Sequence, residues 1–310
     1  MEQYFAHGKL LLTGEYFVLD GAKALAVPTR LGQRMTVQPD AVAQNELRWT
    51  SLDKEGTAWF SAVFHKDQLD QLQRPEEQRL VQLFNSIAKQ SSTAYKQLWG
   101  NHLTLHLEFP RQWGLGSSST MISLLSQWLN VNPYQLLEDS FGGSGYDLAC
   151  ATASGPIQYQ RRIEKEPLVS ALDWQPSYSD QLFFAYQGHK QNSREGIQYY
   201  RELCGAQVTL IDEVSALTEA FLSAHSLSAA AEVATEHENF ISTVLQMSKV
   251  KDQRFANFPG AVKSLGAWGG DFVLAFSPWN PDQTRRYFNE KGCPDVLSYD
   301  EMLLGVRGER

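Results

Sequence analysis

The order of strand and helix patterns in this chain predicts an α+β protein built as two packed lobes, residues 1–165 and 166–310. Three observations carry that expectation. Short strand-like segments cut by tight turns fill the first forty residues, strand and helix patterns then mix without a repeating βα unit, and a charged run, Arg161-Arg-Ile-Glu-Lys-Glu-Pro167, precedes a helix-rich second half. A chain of 310 residues is long enough to bury a substantial core in such an arrangement.

Element by element, strands are expected at residues 9–13, 16–19, 24–27 and 33–38, with Gly14, Asp20-Gly21 and Gly32 as punctuation. Further β pattern lies at 46–50 and 57–64, and a helix runs from Pro75, favourable in a first turn, to about Ala88. The run His102–Phe109 alternates, placing Leu103, Leu105 and Leu107 on one face of a strand. Met121, Ile122, Leu124, Leu125, Trp128 and Leu129 then fall at helical spacing. Short helices follow from Pro133 to about Asp139 and after Gly142-Gly-Ser-Gly145, with Asp147 in the first turn of the second. In the second half a strand is expected at 182–186 and a helix after Ser193. Long helices follow at 208–224 and 228–247, then a strand and turn at 265–276 and a helix at 281–290.

Composition narrows the function classes. A net charge of −8 argues against nucleic acid or an anionic membrane as the main partner, though not against a nucleotide, which helix ends and a metal ion can hold locally. Three cysteines, Cys150, Cys204 and Cys293, lack metal-ligand spacing and read as reduced thiols. Neither a signal peptide nor a membrane-length apolar run is evident, so a soluble cytoplasmic protein is expected.

The most informative stretch joins the 102–109 strand to the helix after it: Gly114-Leu115-Gly116-Ser117-Ser118-Ser119. A helix start carries unpaired N–H groups and partial positive charge, which favour an anion. Two glycines allow close backbone approach, and three hydroxyls add ligands. No Lys-Ser/Thr pair follows, so this is not a P-loop, yet it exceeds what one N-cap serine requires. Phosphate binding is the physical reading.

Two other segments accompany it: Gly8-Lys-Leu-Leu-Leu-Thr-Gly-Glu-Tyr-Phe-Val-Leu-Asp-Gly21, and Val262-Lys-Ser-Leu-Gly-Ala-Trp-Gly-Gly-Asp271. In this order and spacing the three resemble the signature motifs of the GHMP kinases, the family of galactokinase, homoserine kinase, mevalonate kinase and phosphomevalonate kinase. The resemblance implies a ribosomal-S5-like N-terminal lobe and a ferredoxin-like C-terminal lobe, with ATP and a small-molecule acceptor as ligands. It implies that residues 114–119, with Gly269 and Gly270 of the third motif, hold the ATP phosphates. Ser144-Gly-Tyr-Asp147 matches the segment that carries the family's catalytic aspartate, which makes Asp147 the group that accepts the acceptor's proton, with Lys9 close by to stabilise charge. By the same resemblance Ser118 and an acidic residue upstream of Asp147 hold Mg2+, Glu138 being preferred to Asp139. Glu15, Tyr16, Ser193, Lys190 and Arg194 are expected to face the substrate.

The sequence departs from the family pattern in places. His7 replaces the usual proline before Gly-Lys, Tyr16 replaces the histidine of Gly-Glu-His, and Trp268 stands where glycine is common. The Gly-Glu-Tyr form looks more like phosphomevalonate kinases than mevalonate kinases. Trp268 either narrows the acceptor pocket or has the loop rebuilt around it. The leading expectation is a kinase for mevalonate or phosphomevalonate. The alternatives are a kinase for homoserine, a sugar or another alcohol, a diphosphomevalonate decarboxylase, and a ligand-binding regulator with a decayed site. The oligomeric state is left open, a homodimer included.

Overall fold

The structure is a computed structural model that describes residues 1–40, 42–162, 165–190, 193–203, 207–266, 268 and 270–305, with only the backbone of 193 and 194. The chain forms two compact units. The first comprises Met1–Gly8, Leu31–Arg111 and Leu115–Thr152; the second comprises Lys9–Arg30, Gln112–Gly114 and Ala153–Arg310. The expected single cut near residue 165 is therefore replaced by a division that crosses the N-terminal strands. Strands β1 (Glu2–Leu11) and β2 (Ala24–Pro39) are long, and each gives residues to both units. The charged run expected to mark the cut lies partly in two paired strands, β6 (Ile157–Arg162) and β7 (Lys165–Ala171), with Ile157 opposite Ala171.

In the first unit, β3 (Glu46–Leu52), β4 (Ala58–His65), β5 (Asn101–Leu107) and the later part of β2 lie in the order β4-β3-β5-β2. The β3–β5 pair is parallel, with Leu47 opposite Asn101, and such a pair needs a long crossover. That connection contains β4 and two helices, α1 (Pro75–Gln90) and α2 (Ser92–Leu98), the second capped by Ser91 on the Ala94 amide. Alternation along the strands puts Met35, Val37, Leu47, Trp49, Leu103 and Leu105 on a buried face. They share a core with Leu83, Phe84 and Ile87 of α1 and Ile122 and Leu125 of α3 (Ser117–Leu129). Two short helices, α4 (Pro133–Glu138) and α5 (Tyr146–Ala151), complete this unit.

The second unit holds β6 and β7, with Ala24–Ala26 of β2 against β6. It also holds a four-stranded antiparallel sheet, β11-β8-β10-β9, made of β8 (Leu182–Tyr186), β9 (Ala261–Ser264), β10 (Phe272–Phe276) and β11 (Val296–Ser298). Every residue of β8 and β10 is buried, so their apolar side chains are covered on both faces. Helices α6 (Ser193–Leu203), α7 (Val208–Leu222), α8 (Leu227–Leu245), α9 (Val250–Arg254), α10 (Pro281–Glu290) and α11 (Tyr299–Met302) complete the unit. The strand expected at 16–19 is instead a 3-10 turn, Phe17–Asp20, because Gly14 (φ 88°) and Tyr16 (φ 61°) turn the backbone out of extended geometry. Cys150 and Cys293 are buried and in no disulfide among the described residues, and Cys204 lies outside the described residues. Among the described residues no helix is long and apolar enough to cross a membrane.

Candidate active site

In the first unit the expected phosphate loop leads into α3. Gly116 is the N-cap residue, at φ 89°, and it has no side chain with which to cap the helix. The first intrahelical bond runs from Thr120 N–H to Gly116 O at 2.9 Å, so the amides of the first turn have no helical acceptor behind them. Ser117 and Ser118 are half-buried at this end, whereas Ser119 is buried. Leu115 is fully buried, which leaves only its backbone to serve a ligand.

The three serines are not equivalent. Ser119 Oγ donates to Asp147 Oδ2, while Thr120 Oγ1 donates to Gln33 Oε1 at 2.6 Å. Asp147 stands in the first turn of α5, after Gly145 at φ 86°, where the partial positive charge of the helix start favours a carboxylate. It is half-buried, and its Oδ1 takes no hydrogen bond among the described residues. One oxygen is anchored; the other is open.

Glu138, the expected acidic metal ligand, is exposed as the last residue of α4. Its rival Asp139 is occupied: Ser86 Oγ donates to Oδ2 at 2.7 Å and Gln135 Nε2 to Oδ1 at 2.9 Å, and these bonds, the first above all, hold its carboxyl below the usual range. Among the described residues no three His, Cys, Asp or Glu side chains gather as a metal site. Ser118, half-buried at the start of α3, and Glu138, exposed at the end of α4, both present oxygen atoms, the donor type a hard cation takes.

The first motif belongs to the second unit. Lys9, half-buried on β1, donates from Nζ to Gly114 O at 3.1 Å. Gly114 adopts φ 68°, which strains any other residue, and a Cβ there would fall 2.2 Å from Asp271 Oδ2 and displace that carboxyl. His7, in the first unit, packs edge-on to Phe5 with ring centroids 4.9 Å apart.

Glu15 and Tyr16, expected to face substrate, are both buried in the second unit. Glu15 is fully buried and its Oε1 accepts from Lys263 Nζ, itself fully buried. His237 Nε2 accepts the Gly14 amide at 3.2 Å, and burial, then the Lys263 charge, push the ring well below its usual pKa and keep it neutral. Glu238 accepts from Ser264 N–H at 3.0 Å and from its hydroxyl at 3.3 Å, and burial raises its carboxyl to about 7. Tyr16 sits at φ 61°, ψ −48°, and Phe17 N–H closes on Glu15 O at 2.7 Å. This is a γ-turn of the rarer hand, and a non-glycine residue in it stores on the order of 1–3 kcal/mol of strain. The Tyr16 hydroxyl accepts Trp268 N–H at 2.9 Å. Trp268, only 2% exposed, packs with Tyr16, Tyr200 and Ile241, so its indole belongs to the core of this unit.

At the far end of that motif Gln187 Nε2 donates to Gly270 O at 3.0 Å, and Asp271 N–H donates to His189 O at 3.2 Å. Arg254 in turn donates to Gln187 Oε1 at 3.0 Å. Gly269 lies outside the described residues. Lys190 is exposed after β8; Ser193 and Arg194 open α6, and their side chains are also outside the described part. Sequence reasoning missed Lys263, His237, Glu238 and Gln187 as partners of the motifs. Only Lys263 stood within a motif; the others are isolated polar residues in helix or strand patterns.

No protein-family model matches this chain, and neither does any curated protein sequence. Solved structures do. A phosphomevalonate kinase from Streptococcus pneumoniae, solved with phosphomevalonate and AMPPNP, superposes with a TM-score of 0.73 at 16% identity over 96% of this chain and 100% of that one. A mevalonate kinase from Methanococcus jannaschii gives 0.67 at 14% identity, over 96% of both chains. A Lactococcus lactis galactokinase with galactose gives 0.69 at 12%, over 98% of this chain and 93% of that one. Identities this low speak for architecture and leave the substrate open. With near-complete coverage in each case, the chain has the two-lobed α+β fold of the GHMP kinases.

Proposed function

We propose that this protein is an ATP- and Mg2+-dependent kinase that transfers the γ-phosphoryl group to mevalonate or phosphomevalonate. The observation that carries this reading is Asp147: a half-buried carboxylate in a first helical turn, anchored through Oδ2 by Ser119 and open at Oδ1. Such a group can orient an acceptor hydroxyl and take its proton as the phosphoryl group moves. The uncapped start of α3, with the hydroxyls of Ser117 and Ser118, offers donors for phosphate oxygens. Bound Mg2+ would neutralise charge across the β- and γ-phosphates, with Ser118 as the fitting ligand and Glu138 as the acidic candidate. Lys9 is the candidate for charge stabilisation near the acceptor, and Lys190, Ser193 and Arg194 for recognising its carboxylate or phosphate. Kinases of this fold solved with phosphomevalonate and with galactose support small-molecule phosphorylation, and the Gly14-Glu15-Tyr16 form favours the isoprenoid branch.

The test is ATP consumption with Mg2+ and mevalonate, phosphomevalonate, homoserine or galactose, each run beside Asp147→Asn. The expected result is turnover with one of the first two. For a hydroxyl acceptor, which must shed a proton, the variant should be about 10²–10⁴-fold slower; a phosphate acceptor is already anionic and should lose less. Undiminished turnover in the variant would remove Asp147 from the mechanism. Turnover with homoserine or galactose alone would overturn the acceptor assignment.

A further inference from the structure

The strained Glu15-Tyr16-Phe17 turn lies inside the second unit, and its central side chain meets two other parts of that unit. Its hydroxyl accepts Trp268 N–H at 2.9 Å, in the third-motif loop. Its ring stacks on Tyr200 of α6, with centroids 5.6 Å apart. One turn of α6 earlier, Gly196 leaves room for the same hydroxyl: a Cβ there would lie 2.7 Å from Tyr16 Oη. The ring is 8% exposed. A turn residue needed only for packing would be apolar, and one needed only for the dihedral would be glycine. Tyrosine at this position costs strain, and what it adds is an acceptor delivered to one buried N–H.

The described ends of the loop are held in the same manner. On its entry side Lys263 is paired with Glu15, and Ser264 is bonded to Glu238; on its exit side Gly270 O accepts from Gln187. The Tyr16–Trp268 bond lies between those ends.

We propose that Tyr16 is a positioning residue: its hydroxyl, through Trp268 N–H, sets the geometry of the third-motif loop and couples that loop to α6. This rests on the kinase reading, in which the third motif serves the phosphates. Removing the hydroxyl leaves Trp268 N–H buried without its acceptor, and the loop must shift to satisfy it. The effect should fall on the chemical step more than on nucleotide affinity.

The experiment uses Tyr16→Phe, which keeps the ring and its stacking, and Gly196→Ala, which presses on the hydroxyl from α6. Both are made in full-length protein labelled with 5-fluorotryptophan, and the Trp268 resonance is assigned by its loss in Trp268→Phe. In each variant the 19F resonance of Trp268 should move, and kcat should fall about tenfold or more with the KM for ATP within about twofold. An unmoved resonance, or a moved one with unchanged kcat, overturns the proposal. If the parent protein turns over no acceptor, the kinase reading fails by itself, and the positioning role is read from the response of Trp268 to AMPPNP with Mg2+. Loss of that response in Tyr16→Phe supports the role, and an unaltered response overturns it. Should Tyr16→Phe fail to fold, Gly196→Ala decides by the same criteria.

Discussion

The start of α3 and the Gly14–Phe17 turn both lie in motifs conspicuous in sequence, but they use their polar groups in opposite ways. At α3 the polar groups are left without internal acceptors: Gly116 caps nothing, Ser117 and Ser118 are half-buried, and Asp147 Oδ1 takes no hydrogen bond among the described residues. At the turn the bonds run inside the unit, in Glu15–Lys263, Gly14–His237, Glu238–Ser264 and Tyr16–Trp268, and Glu15 Oε2, His237 Nδ1 and Trp268 Nε1 are buried without a hydrogen-bond partner among the described residues. On the proposed reading one motif meets a ligand, while the bonds of the other hold the backbone in place. Motif residues therefore divide by where their polar groups lie, at a half-buried helix start or inside the unit, which residue type alone does not reveal.

The sharpest way to break this comparison is Lys263→Met. If the buried pair is structural, the substitution strands the Glu15 carboxylate and should cost about 3–5 kcal/mol in urea unfolding, most of it recovered in the Glu15→Gln/Lys263→Met double variant. A loss below about 1 kcal/mol would mean that Glu15 reaches solvent and belongs with the open groups.

A second test follows from Glu238. Its folded pKa, about 7, lies above the ordinary 4.5 because burial disfavours the charge, and the Lys263 charge only partly opposes this. A raised pKa means stability fully present below pH 4.5 and lost as pH rises through 7, by about 3 kcal/mol. Glu238→Gln has no such proton to lose, so its stability relative to the parent should rise by that amount between pH 4.5 and about 7.5. Parallel pH profiles for the two proteins would show an ordinary, solvated carboxyl.

The smallest expected effect sharpens the other side. Ser119→Ala removes the anchor of Asp147, a hydrogen bond to a charged group worth about 1.5–3 kcal/mol, and should slow kcat roughly tenfold to a hundredfold while leaving the KM for ATP in place. Full activity would mean that α5 alone orients the carboxylate.

Much of the fold was legible because its patterns are local. The alternation in residues 102–109 and the apolar spacing from Met121 to Leu129 specify strand and helix, and Leu103, Leu105, Ile122 and Leu125 are fully buried as the pattern implies. Asp147 was expected in a first helical turn and is found there. Other features were hidden. Residues 16–19, Tyr-Phe-Val-Leu, read as a short strand, but Gly14 and Tyr16 adopt positive φ. β1 begins at Glu2 in a stretch without turn signals, and β7 is largely exposed, so no apolar periodicity announces it. The division into units escaped because long strands serve both, and a strand's sequence carries no mark of where its contacts change.

By itself, the sequence determined the strand–loop–helix unit around Ser117, the aspartate in its helical turn and the order of the three motifs, because periodicity, glycine spacing and helix-start chemistry act over a few residues. Only the tertiary structure decided which members of those motifs stay open and which are paired. Lys263 lies 248 positions from Glu15 and Trp268 lies 252 from Tyr16. A buried charge or N–H is satisfied by whichever group the folded chain brings beside it, and that choice is made by packing rather than by neighbourhood in sequence.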